Sequence, residues 1–91
     1  MELYTFLMEF RGGTYISQFN AGKLQEAVLL WTEHLEIKEI KYLSEKGKAE
    51  IKEKIKSKEP IKIRDRKNIW FFCMSIKMGF VAVNVVKTSL D

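Results

Sequence analysis

One cysteine, one proline and one histidine occur in these 91 residues, and each scarcity removes a class of chemistry. A lone Cys73 excludes an internal disulfide and any zinc site built on several thiolates. Its apolar neighbours suit a small packed hydrophobe. An activated nucleophile instead needs cationic neighbours or a helix N-terminus. His34 has only carboxylates to share a metal with, so it reads as a helix-terminal side chain rather than a ligand. No apolar stretch is long enough to span a membrane. The opening Met1-Glu2-Leu3-Tyr4-Thr5 has no basic region and no small-residue cleavage site, so the expectation is a cytoplasmic protein without a membrane partner. Repeats, linkers and low-complexity tracts are also missing, and the chain reads as a single domain over residues 1–91.

What is present is an ordinary folding composition, 46% hydrophobic and 31% charged, with a net charge of +4. The positive excess is local. Residues 41–67 hold eleven Lys or Arg against five Asp or Glu, a balance of +6, while the remainder balances at −2.

Leu3–Phe10 and Thr14–Phe19 are strand-like runs separated by Arg11-Gly12-Gly13, where glycine supplies the positive φ of a tight hairpin turn. Asn20 is positioned to cap a following helix, with Phe19 and Leu24 as a hydrophobic staple. Leu24, Ala27, Val28, Trp31 and Leu35 recur at three- and four-residue steps and form one apolar stripe. Leu29 and Leu30 fall outside it. Ile37 and Ile40 are out of phase, which ends the helix near Leu35 or Glu36. Ser44 and Glu45 open a second helix, whose narrow apolar edge is Leu43, Ile51 and Ile55, with Gly47 as its weak point and Glu50–Lys54 as an ion pair. That narrow edge predicts a peripheral helix. Pro60 stops it.

Ile61–Arg64 alternates as a short edge strand, and Asp65–Asn68 follows as a turn. Ile69–Ile76 and Phe80–Val86 then form a second hairpin around Met78-Gly79. The expected fold is therefore α+β in two layers, an antiparallel sheet of two hairpins with helices on one face.

Ile69–Ile76 is apolar on both alternating faces: Trp70, Phe72, Met74 and Ile76 on one, Ile69, Phe71 and Cys73 on the other. A strand of this kind needs cover on both sides. Two short helices cover one side of a sheet, so the other side is expected to meet a partner, either a second copy or another protein. Trp70, Phe72, Met74 and Ile76 are the candidate interface, or the alternate set, depending on strand order.

The basic segment offers a second class of function. Lys62, Arg64, Arg66 and Lys67 would contact phosphates, with Trp70 or Phe71 stacking on an unpaired base. The plainer reading is a solvated face that guards a sheet edge, because lysine dominates and acids are interleaved. Arg11-Gly12-Gly13 precedes a strand rather than a helix, so it is a turn and not a phosphate cradle. A Cys73–His34 pair oriented by Glu33 or Glu36 would be a nucleophile and base, but no motif presents the thiol. Glu26 with Glu33, and Glu36 with Glu39, read as wet faces. No catalytic, metal or cofactor set emerges, and the expectation is a non-enzymatic domain.

Tyr4-Thr5-Phe6-Leu7-Met8-Glu9, Gly13-Thr14-Tyr15-Ile16 and Glu26-Ala27 together resemble the front of HicB-like antitoxin domains, where a hairpin also feeds an amphipathic helix. The resemblance covers about the first third of the chain. The third strand of that family is missing, and no C-terminal DNA-binding pattern follows. The resemblance thus implies the hairpin–helix unit alone. The chain also looks like a small family of bacterial proteins of unknown function with the same strand–helix–strand order.

Overall fold

Arg11 and Gly12 both adopt positive φ, 47° and 85°, and close a two-residue turn between β1 (Glu2–Phe10) and β2 (Gly13–Ala21). That geometry matches the right-handed twist of the flanking strands. Pairing runs without interruption from Phe10↔Gly13 to Glu2↔Ala21. The structure, a computed structural model, describes residues 1–89, of Ser89 the backbone only.

The remaining elements are α1 (Leu24–Glu33), α2 (Glu45–Ile55), β3 (Ile61–Lys62), β4 (Ile69–Ile76) and β5 (Gly79–Ser89). The strands form one antiparallel sheet in the order β2-β1-β5-β4-β3. The expected α+β architecture is therefore present. β1 and β5 join the two hairpins along the middle of the sheet, with Glu2 opposite Ser89 and Phe10 opposite Val81.

Both helices lie on one face. Tyr4, Phe6, Met8 and Phe10 of β1, Val81, Val83 and Val85 of β5, and Phe72, Met74 and Ile76 of β4 are all buried there. Trp31 is the centre of this core. It stacks on Phe6 at 5.6 Å between ring centroids and meets Phe72 edge-on at 5.5 Å. Offset and edge-on contacts of this kind add to the burial of the rings themselves.

Several boundaries differ from the sequence reading, each for a physical reason. Asn20 does not cap α1, because β2 continues to Ala21 and the cap position falls on Lys23, which makes no side-chain bond to the helix. Glu26 instead accepts the Gly22 N–H at 3.2 Å, a carboxylate serving the amide-rich start of the helix. α1 stops at Glu33, yet Leu35 and Ile40 are buried. The segment after His34 folds as turns, with Glu36 C=O accepting from Glu39 and Ile40 N–H, and these turns carry the out-of-phase Ile40 into the core.

α2 is not peripheral. Ile51 is wholly buried, and Ile55 and Gly47 are buried beside it. Its N-terminus follows expectation: Ser44 Oγ accepts from Gly47 N–H at 3.2 Å, and Glu50 pairs with Lys54 at 3.4 Å. The close approach at Gly47 is specific, since a Cβ there would sit 2.8 Å from Leu43 Cδ1. β3 is only two residues long, shorter than the expected Ile61–Arg64.

Candidate interface on the helix-free face

Side chains on alternate positions of the same strands face away from the helices. Register places them in rows across the sheet. Ile16, Leu7, Asn84, Phe71 and Ile61 form one row, Gln18, Thr5, Val86 and Ile69 the next, and Thr14, Glu9, Ala82 and Cys73 a third. No helix covers them. Leu7, Phe71, Cys73, Ala82 and Val86 are half-buried by one another, while Ile16, Ile61 and Phe80 are 65%, 69% and 56% exposed. Isolated exposed apolar residues are unremarkable, but contiguous ones mark a contact surface.

The candidate interface named from sequence is therefore split. Phe72, Met74 and Ile76 are buried under the helices, and Trp70 is half-buried on that same side against Tyr4 at 6.4 Å. A partner cannot reach the buried three. The correction follows from strand order: β4 has only the two-residue β3 beyond it, and α2 packs over its inner face. The alternate set, Ile69, Phe71 and Cys73, occupies the open side.

Lys62, Arg64, Arg66 and Lys67 are all exposed at the β3–β4 connection, and none forms an ion pair among the described residues. Local bonds shape this loop. Ile63 N–H bonds Ile69 C=O at 3.1 Å, Arg66 N–H bonds Ile63 C=O at 3.2 Å, and Asp65 and Asn68 take positive φ. Ile61 places the loop's base beside Phe71 on the open face. Lys62 itself pairs with Trp70, so the aromatic on its side of the sheet is Trp70, while Phe71 shares the open face with Ile61. The lysines of α2 are more committed: Lys48 donates to Glu33 C=O at 3.1 Å, Lys54 donates to Ser75 C=O, and Lys56 pairs with Glu53.

The remaining candidates stay apart. His34 Nδ1 lies 2.9 Å from Leu30 C=O and its ring tilts against Phe19, on the helix side. Cys73 is on the opposite face of the sheet, so the two do not form a pair. Among the described residues no cluster of three or more His, Cys, Asp or Glu could hold a metal ion. Glu36 and Glu39 line a cavity of about 300 Å³ with Trp31, His34 and Thr14–Ser17 of β2. No residue pattern signals this cavity, because turns in the α1–α2 connection create it.

Burial pushes the Tyr4 phenol above its ordinary value, with the Glu2 and Glu26 carboxylates adding to the effect. Among the described residues no helix is long and apolar enough to cross a membrane. Comparison with protein-family models, with curated proteins and with solved structures returns no match.

Proposed function

We propose that this chain is a non-enzymatic interaction domain that self-associates through the helix-free face of its sheet. The observation that carries the reading is the row Ile16–Leu7–Asn84–Phe71–Ile61, apolar except at Asn84, which crosses all five strands with no described element over it. Four full strands about 4.8 Å apart and nine residues at about 3.3 Å each give a face of roughly 570 Å², to which the two-residue β3 adds little. A standard protein interface buries about 800 Å² on each partner, so the face supplies most of the area that a second copy would cover. The middle rows of the face carry only uncharged polar groups, Thr5, Gln18 and Asn84, while the charged Glu9 lies in the row nearer the hairpin turn. Cys73 keeps a free thiol on that face, in accord with a reducing compartment such as the cytoplasm.

Sedimentation equilibrium over a range of micromolar concentrations tests this. The native chain should associate, and Phe71→Lys, which sets a charge in the middle of the contact, should lose the part of that association that runs through this face. A native chain that stays monomeric throughout would remove the reading.

The exposed Lys62, Arg64, Arg66 and Lys67 support a second reading, binding of single-stranded nucleic acid beside Trp70, which pairs with Lys62. Neutralising several phosphates would make affinity fall steeply with salt. Fluorescence anisotropy with a labelled oligonucleotide should then show salt-dependent binding that disappears when all four are changed to glutamate. Equal affinity in that variant rejects it.

A further inference from the structure

The two edges of the sheet are built in opposite ways. At one edge, β3 is two residues long, follows Pro60 and carries Lys62, with Arg64 just beyond. Short length, proline and charge are the ordinary protections against strand pairing. At the other edge, β2 runs for nine residues, Gly-Thr-Tyr-Ile-Ser-Gln-Phe-Asn-Ala, with no charge, no proline and no bulge in its register. It lacks every one of those protections.

The hairpin fixes which main-chain groups of β2 are free. The pair that closes a two-residue turn, Phe10 and Gly13, is hydrogen-bonded, and bonded pairs then alternate along the ladder. Gly13, Tyr15, Ser17, Phe19 and Ala21 therefore bond β1. The N–H and C=O groups of Thr14, Ile16, Gln18 and Asn20 point outward, and no hydrogen bond from them to another described residue is present. β2 has β1 on one side and no described strand on the other, which leaves its outward groups open to another backbone.

We propose that β2 pairs with β2 of a second copy, antiparallel about a two-fold axis at Ser17, to make one continuous ten-stranded sheet. This register uses every outward residue: Thr14 bonds Asn20 of the second copy and Ile16 bonds Gln18. On the helix side Tyr15 meets Phe19, Gly13 meets Ala21, and the small Ser17 meets its equivalent at the axis. Nothing charged opposes itself, as a self-pairing strand requires. Shifting the axis to Ile16 or Gln18 would leave an outward residue of each copy unpaired. The arrangement also closes on itself, whereas pairing β2 with the blunted β3 would give an open filament. Near the axis the two Ile16 side chains become diagonal neighbours, so the apolar rows of the two protomers merge. This contact uses main-chain groups at an edge and is separate from association through the open face.

Disulfide trapping tests the register. In a Cys73→Ser background, Ser17→Cys should convert largely to a covalent dimer under mild oxidation, because directly opposed non-bonded positions bring Cβ atoms within about 4.5–5.5 Å. Ile16→Cys in the same background should cross-link far less, since its opposite residue is Gln18. The Ser17→Cys product should persist when Phe71→Lys is added, which separates this contact from the face. In the native chain, amide exchange at Thr14, Ile16, Gln18 and Asn20 should slow as concentration rises. Equal trapping at positions 16 and 17, or no trapping with outward amides that exchange fast at every concentration, overturns the proposal. Slow exchange only after another protein is added would assign the edge to an extended segment of that protein and likewise overturn it.

Discussion

Phe71 and Phe72 are neighbours on one strand, and truncating each to alanine should produce two different kinds of loss. Phe72 is 2% exposed and packs edge-on against Trp31 at 5.5 Å. Replacing a buried phenylalanine by alanine costs about 3–5 kcal/mol, the sum of lost transfer energy and an unfilled cavity. The aromatic pair, about 0.5–1.5 kcal/mol, is one part of that loss. A domain of this size has roughly 5–15 kcal/mol of total stability, so Phe72→Ala should leave it marginal. The loss should be the same at any protein concentration, because the contact lies within one protomer.

Phe71 faces the open side and is already partly wet. In an isolated protomer its truncation should cost about 1 kcal/mol. If a second copy covers the face, a further component appears that depends on concentration. A hundredfold rise in concentration should stabilise the native dimer by about 2.7 kcal/mol, and Phe71→Ala should lose the share of that gain that the open face supplies. Urea unfolding followed by far-ultraviolet circular dichroism, at about 1 and about 100 μM, reads both effects. A Phe72→Ala loss below about 1 kcal/mol would refute the placement of the core. A native midpoint that does not move with concentration would refute the covered face.

Two further expectations concern local interactions. Ser44→Ala removes the side-chain bond that caps the start of α2, to Gly47 N–H, and should cost about 1 kcal/mol in the same unfolding assay. Tyr4 should make the protein sensitive to alkali. Its folded pKa is raised above the ordinary value of 10.0, mainly by burial. Below pH 10 the phenol is protonated in both states and stability is unaffected. Above it the unfolded chain loses the proton first, so stability falls until the folded pKa is passed. Tyr4→Phe should flatten this decline, as read from thermal midpoints between pH 9 and 11.5.

Of the candidate site, the sequence revealed the ingredients but not their placement. Period-two alternation separated Trp70, Phe72, Met74 and Ile76 from Ile69, Phe71 and Cys73. Both sets are apolar, so hydropathy could not say which one the helices cover. The cations at Lys62, Arg64, Arg66 and Lys67 were legible because charge density needs no fold to be seen. Their aromatic neighbour was not, since only the pairing of Lys62 with Trp70 and of Ile61 with Phe71 assigns each aromatic to a side. The exposed edge of β2 was likewise hidden: an uncharged strand looks alike whether central or outermost.

Short-range chemistry by itself determined the two hairpins, the Ser44 cap, the Glu50–Lys54 pair and the overall α+β class, because turns, caps and four-residue pairs act within a few residues of chain. Only the tertiary structure decided that β1 lies against β5, that the turns after His34 bury Ile40, and that β2 and β3 are the edges. Those outcomes depend on contacts between segments as far apart as Glu2 and Ser89. Such contacts form when whole surfaces are packed against each other, and no local pattern of residues encodes the choice.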